Sequence, residues 1–102
     1  MKNTTKQYQQ WLATLKKSID QSKLQTSLQV NKNLIILYWY IGQQIVQKTD
    51  IENWGAKIIS SLANDLNKAF PELEGFSERN LLYMKQFAVA YPDFLLTQQA
   101  AA

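Results

Sequence analysis

The sequence predicts an all-α domain of about four helices, with a long central helix 2 and a helix-turn-helix-like pair formed by helices 3 and 4. Three observations lead there. Apolar residues recur at three- and four-residue spacing along most of the chain, the period of one helical face. Neither glycine nor proline occurs before Gly42, so no strong breaker interrupts the first part of the chain. A turn over Pro71–Gly75 and a well-formed helix start at Ser77 then divide the remainder.

Helix 1 is expected at about residues 4 to 20, where Tyr8, Trp11, Leu12, Leu15 and Ile19 form one stripe. Helix 2 is expected at about 23 to 48, with Leu24, Leu28, Leu34, Ile35, Tyr38, Ile41 and Ile45 in phase and Asn31 interrupting. Its middle, Leu34 to Ile41, is apolar or aromatic all round, and by itself suits a buried strand as well. No turn residues bracket that run, which favours a helix through the centre of the core. Gly42 within it costs about 1 kcal/mol relative to alanine, and close approach of another helix is the usual compensation.

Thr49 to Trp54 reads as a connection, and Trp54-Gly55 as the opening of helix 3, in which Ile58, Ile59, Leu62, Leu66 and Phe70 repeat at helical spacing until Pro71 ends it. Gly75 suits a positive φ in the turn that follows. Helix 4 has the clearest start: Ser77 as N-cap, Glu78 in the first turn, and Phe76 placed to staple onto Leu81. That register turns Leu81, Met84 and Ala88 inward and Arg79, Asn80, Tyr83 and Gln86 outward, with Leu82 and Lys85 at the margins. Tyr91-Pro92 closes it, because the residue before proline is pushed out of the α region. Residues 1–93 are thus expected to form the helical domain and 94–102 a truncated or partly disordered tail, where Phe94, Leu95 and Leu96 would need a partner to cover them.

With 102 residues, 46% of them apolar, the chain suits one globular domain with one core. It has no cysteine and no histidine, which removes disulfides, thiolate nucleophiles, the usual zinc ligands and imidazole-based triads. No signal-peptide h-region is visible, and the longest apolar run is far shorter than a membrane span, so a cytoplasmic protein without a membrane partner is expected. Asp50 with Glu52, Glu72 with Glu74, and Asp65 do not form the strand-borne acidic cluster with a lysine that a metal-dependent nuclease requires. Pro92-Asp93 lacks the acidic-X-lysine of a PD-(D/E)XK motif. No catalytic residues, metal ligands or cofactor are assigned.

Net charge is +3, unevenly distributed: residues 1–48 hold seven lysines against Asp20 alone, and residues 49–102 hold four basic and seven acidic side chains. A basic half attracts phosphate backbones through counterion release, though an ordinary solvated helix face has the same composition. On helix 4, Arg79 suits guanine, Asn80 and Gln86 suit adenine, and Tyr83 and Lys85 suit phosphates, which makes this helix the candidate DNA contact. Trp11, Trp39 and Trp54 with Tyr38 and Tyr40 offer ring faces for single strands, but stripe positions more often belong to a core.

A family resemblance rests on a long ordered series: Asn33-Leu34, Leu37-Tyr38-Trp39, Ile41-Gly42, Trp54-Gly55-Ala56-Lys57, Leu62, Asp65-Leu66, Phe70-Pro71, Gly75-Phe76-Ser77, Arg79-Asn80-Leu81, Tyr83-Met84, Phe87 and Tyr91-Pro92. Over roughly Leu24 to Asp93 the chain resembles the N-terminal domain of the YhcG-like bacterial proteins. In that family the domain precedes a PD-(D/E)XK nuclease domain. The resemblance therefore implies a DNA-binding or assembly module of a nuclease system, here detached, truncated, separately encoded or a remnant of a longer gene. It adds Lys57, after Trp54-Gly55, as a candidate phosphate ligand at a helix start.

Two expectations follow. One is sequence-tolerant DNA binding through the basic half and helix 4. The other is an interaction module that docks on a nuclease domain or subunit, or on a second copy of itself.

Overall fold

A computed structural model describes residues 2–22 and 32–94, with the side chains of 6–21 and 34–94. Helices α1 (Lys2–Ser22) and α2 (Lys32–Val46) are followed by a π-helical turn (Gln47–Ile51), then α3 (Lys57–Ala69) and α4 (Glu78–Ala90). Among the described residues there is no strand. The expected first turns of helix 2, with Leu24, Leu28 and Asn31, and the residues from Leu95 onward lie outside the described residues.

The helices close a ring. The most extensive packing is α2 on α4; α1 lies on α2 and α3, and α3 lies on α4. α1 and α4 therefore occupy opposite corners. Trp11, Leu12, Leu15 and Ile19 come from α1, Leu37, Ile41 and Ile45 from α2, and Ile58, Ile59, Leu62, Ala63 and Leu66 from α3; Phe70, Phe76, Leu81 and Met84 complete one buried cluster. Burying a side chain of this size contributes about 1.5–3 kcal/mol, so this cluster is the dominant favourable term.

Gly42 makes the α2–α4 contact possible. A Cβ there would stand 2.6 Å from the carbonyl carbon of Met84 and 3.1 Å from the Cβ of Ala88. The missing side chain lets the α4 backbone rest directly on α2, as expected from a glycine inside a helix. Hydrogen bonds then tie the corners: the Trp39 indole donates to the Tyr91 carbonyl at 2.7 Å, the Trp11 indole to Gln44 Oε1 at 2.9 Å, and the Tyr8 hydroxyl to Asp65 Oδ2 at 2.6 Å. No buried side-chain nitrogen or oxygen among the described residues lacks a partner.

Three sequence expectations need correction. The segment from Thr49 begins as helix, not connection: the Glu52 N–H donates to the Gln47 carbonyl at 2.9 Å, and the Thr49 hydroxyl donates to the Ile45 carbonyl at 2.8 Å. A threonine that back-bonds in this way widens and bends the last turn. Helix 3 begins at Lys57, not at Trp54-Gly55, because Asn53 (φ 57°) and Gly55 (φ 94°) are left-handed and cannot continue a right-handed helix. Ile35, placed in the inward stripe by periodicity, is 46% exposed, while Leu37 and Trp39 are buried. Ile35 faces the end of α4 and the Tyr91–Phe94 segment, where the chain turns away and leaves a cleft.

Gly42→Ala should destabilise the domain by about 1–3 kcal/mol despite alanine's better helix propensity, because a methyl group overpacks the α2–α4 contact. Urea denaturation checks this, and a neutral or stabilising effect would refute the close-packing account. Burial, reinforced by the hydrogen bond to Asp65 and by its charge, raises the ionisation of Tyr8 well above the ordinary tyrosine value, and burial alone raises Tyr38. A raised folded-state pKa stabilises the fold fully below the unfolded value of about 10, and that contribution is lost as pH rises through the folded value. In an alkaline spectrophotometric titration Tyr8 and Tyr38 should ionise above the ordinary tyrosine value, and Tyr8→Phe should flatten the loss of stability above about pH 10.

Candidate functional site

Ser77 sets which side of α4 faces out. Its backbone is extended (φ −72°, ψ 162°), its Oγ accepts the Asn80 N–H at 3.2 Å, and its carbonyl accepts the Leu81 N–H at 2.9 Å. Phe76 and Leu81 are both buried on either side of this cap. With the register held there, Leu81, Met84 and Ala88 are buried, and Arg79, Leu82, Tyr83, Gln86 and Val89 are exposed in one row.

The side chains proposed from sequence as contacts separate into distinct places. Arg79, Tyr83 and Gln86 share the outward row of α4. Asn80 is half-buried and forms one wall of an open cleft of about 310 Å³, with Tyr38, Gly75, Tyr83, Met84 and Phe87 around it. Lys85 points elsewhere: its Nζ lies 3.0 Å from Asp50 Oδ1, tying the π turn to α4. That hydrogen bond, then one from the Thr49 hydroxyl, holds the Asp50 carboxyl below the usual range. Lys57 is exposed on α3 and belongs to a separate row.

Sequence reasoning missed how apolar the α4 side is. Leu82 (43% exposed), Tyr83 (57%), Val89 (58%) and Tyr91 (59%) lie on it, beside Ile35 of α2. A second open cleft, of about 620 Å³, runs between Ile35, Phe87, Ala90, Tyr91, Pro92 and Phe94. Phe94 is itself half-buried, its ring 5.3 Å from that of Phe87 and 6.1 Å from that of Trp39. The signal was present in the sequence: Leu82, Phe87 and Val89 fall outside the inward stripe of Leu81, Met84 and Ala88.

The tryptophans belong to the packing. Trp11 and Trp39 are buried, and Trp54 stacks edge-on against Trp11 at 5.7 Å with Lys48 Nζ 4.7 Å above its ring. Lys48 also pairs with Glu52 at 3.1 Å.

The side formed by α1 and α3 differs in kind. Along α3, Lys57, Ser60, Ser61, Asn64 and Lys68 form an exposed row at helical spacing, and on α1 Lys6 and Lys17 are exposed with Lys16 half-buried. These lysines make no ion pair with a described residue, whereas Lys48 and Lys85 do. Of the carboxylates on these helices, Asp65 accepts the Tyr8 hydroxyl and Asp20 is exposed on α1. Such a surface can neutralise a polyanion and offer hydroxyl and amide donors to it.

Among the described residues no group of three or more histidine, cysteine, aspartate or glutamate side chains is arranged to hold a metal ion, and no helix is long and apolar enough to cross a membrane. Residues 14–102 match the DUF1016 N-terminal domain. No curated protein and no solved structure matches the chain. With that match over most of its length, this helical chain belongs to the DUF1016 N-terminal domain family, the YhcG-like helical N-terminal domain.

Proposed function

We propose that this domain is a sequence-tolerant DNA-binding module of a nuclease system, that it binds the duplex backbone through the α1–α3 side, and that cleavage is the work of another domain or subunit. The observation that supports this is the set of lysines Lys6, Lys16, Lys17, Lys57 and Lys68 on two adjacent helices, none of them in an ion pair with a described residue and with Ser60, Ser61 and Asn64 among them. Unpaired surface cations release condensed counterions from DNA at no cost in broken ion pairs. Short hydroxyl and amide side chains between them are the usual donors to phosphate oxygens. Nothing in this row discriminates bases, so the binding is expected to follow backbone charge.

Helix α4, with Arg79, Asn80, Tyr83 and Gln86, is the second reading of the same activity. Its support is the exposed Arg79, Tyr83 and Gln86 near a capped helix start. Against it stand the apolar side chains of that row and the commitment of Lys85 to Asp50.

Fluorescence anisotropy with labelled duplex over a salt series separates these readings. About four phosphate contacts should give a slope near −3.6 in log K against log salt. Replacing Lys57 and Lys68, or Lys6 and Lys17, with alanine should lower affinity severalfold and reduce that slope by about 2. Arg79→Ala should leave it unchanged. Loss of binding with Arg79→Ala and none with the lysine variants would move the contact to α4, and no binding at low salt would remove the DNA reading altogether.

A further inference from the structure

Beside the capped start of α4 lies the cleft of about 310 Å³ between Tyr38 of α2, Gly75 of the preceding turn, and Asn80, Tyr83, Met84 and Phe87 of α4. Asn80, Tyr83 and Phe87 stand three and four positions apart, so they share one strip of the helix. Its walls are mostly rings and a thioether, and two polar groups stand among them. The Asn80 backbone N–H is spent on the cap, donating to Ser77 Oγ at 3.2 Å, but its side-chain amide bonds to no described residue. Nor does the Tyr38 hydroxyl. Both residues are half-buried, and no buried side-chain oxygen or nitrogen among the described residues lacks a partner, so these two polar ends are open to whatever enters the cleft. Gly75 leaves the hydroxyl its room: at φ 108° it holds a backbone conformation that strains other residues, and a Cβ there would stand 2.9 Å from the Tyr38 oxygen.

We propose that this cleft receives one unpaired nucleobase of a DNA strand, adenine by preference, with Asn80 reading the edge of the base and Arg79 holding its phosphate. A base offers flat π faces, and the half-exposed ring of Tyr83 and the half-buried ring of Phe87 are surfaces on which such a face lies. A carboxamide presents a donor beside an acceptor, the pattern that matches the amino group and ring nitrogen of adenine. The Tyr38 hydroxyl can both donate and accept, and supplies a second polar contact. Arg79 lies one turn before Tyr83 on the helix surface, exposed and in no ion pair with a described residue, so its guanidinium is available to the phosphate attached to the base. An aliphatic occupant would desolvate the amide and the hydroxyl without pairing them, which disfavours it. The volume stands at the lower end of small-ligand sites, room for a base and not for a folded element. A base paired inside a duplex cannot enter, because its partner covers its edge and its neighbours cover its faces; a bulged or extruded base can. None of the residues invoked belongs to α1 or α3, and the inference rests on the DNA reading only for the strand that carries the base.

Fluorescence anisotropy of the full chain with three labelled duplexes tests it: one fully paired, one with a single bulged adenine, and one with an abasic residue bulged at the same place. The bulged adenine should bind about tenfold more tightly than either of the others at the same salt. Asn80→Leu, which keeps the backbone cap, should erase that difference, and Tyr38→Phe should reduce it severalfold, with the helical circular dichroism preserved. Arg79→Ala should weaken only the bulged-adenine duplex. Replacing Lys57 and Lys68 with alanine should weaken all three alike and leave their ratio unchanged. Equal affinity for the adenine and abasic bulges would overturn the proposal, and so would a preference that survives both Asn80→Leu and Tyr38→Phe. Titration of dAMP, followed by NMR of the Asn80 side-chain amide, is the second arm. A saturable shift at an affinity below that of the bulged adenine is expected, and dAMP binding as tight as that duplex would overturn the strand as the source of the base. Absence of duplex binding at low salt would sink the DNA reading but not the cleft, for which an Asn80 amide indifferent to dAMP is then the overturning result.

Discussion

The contact of Gly42 with the backbone of α4 is the constraint on which the arrangement depends. A helix that approaches α2 over a glycine comes close enough for its main chain to touch, and a larger residue would hold it off. From that approach follow the burial of Met84 and Ala88 on one side and the reach of the Trp39 indole to the Tyr91 carbonyl at the end of α4. The cap at Ser77 then decides which residues face out. Helix propensity contributes little to any of this: a glycine weakens α2 locally, and the packing it permits has to outweigh that cost.

A ring with α1 and α4 at opposite corners gives the domain two unlike surfaces. Around α1 and α3 the exposed residues are mostly polar, with lysines, glutamines, serines and asparagines; around α2 and α4 lie most of the large exposed aromatic and aliphatic side chains, with Glu78, Arg79 and Gln86 among them. The two sides suit ligands of different chemistry, one a polyanion whose attraction falls with salt and the other an apolar face whose attraction does not. Electrostatic and hydrophobic recognition can therefore operate in one small domain without competing for the same residues.

The π turn links these sides mechanically. Thr49 holds the Ile45 carbonyl, Asp50 next to it receives Lys85 from α4, and Lys48 lies over Trp54, which stacks on Trp11 of α1. One irregular turn thus meets α2 and α4 directly and reaches α1 through Trp54. The exposed ion pairs in it contribute little stability of their own, but they orient the turn and remove Lys48 and Lys85 from the stock of free cations.

Much of the fold was legible in the sequence. Helical spacing revealed α1, α3 and α4, because each has one apolar stripe against a polar remainder, and Ser77, Phe76 and Gly42 carried readable signals of cap, staple and close approach. The run from Leu34 to Ile41 was harder, since an all-apolar stretch has no phase; only packing shows that Leu37 and Trp39 are buried while Ile35 borders a cleft. The start of α3 was misjudged because the left-handed turn at Asn53 and Gly55 leaves little trace in periodicity. For the site, local sequence determined the exposure of Arg79, Tyr83 and Gln86, since register along one helix is a matter of spacing from a cap. Only the tertiary structure decided that Lys85 is committed to Asp50 and that α1, with its exposed lysines, packs against α3, with Lys57 and Lys68 exposed on it, because those relations join residues tens of positions apart and depend on which helices touch.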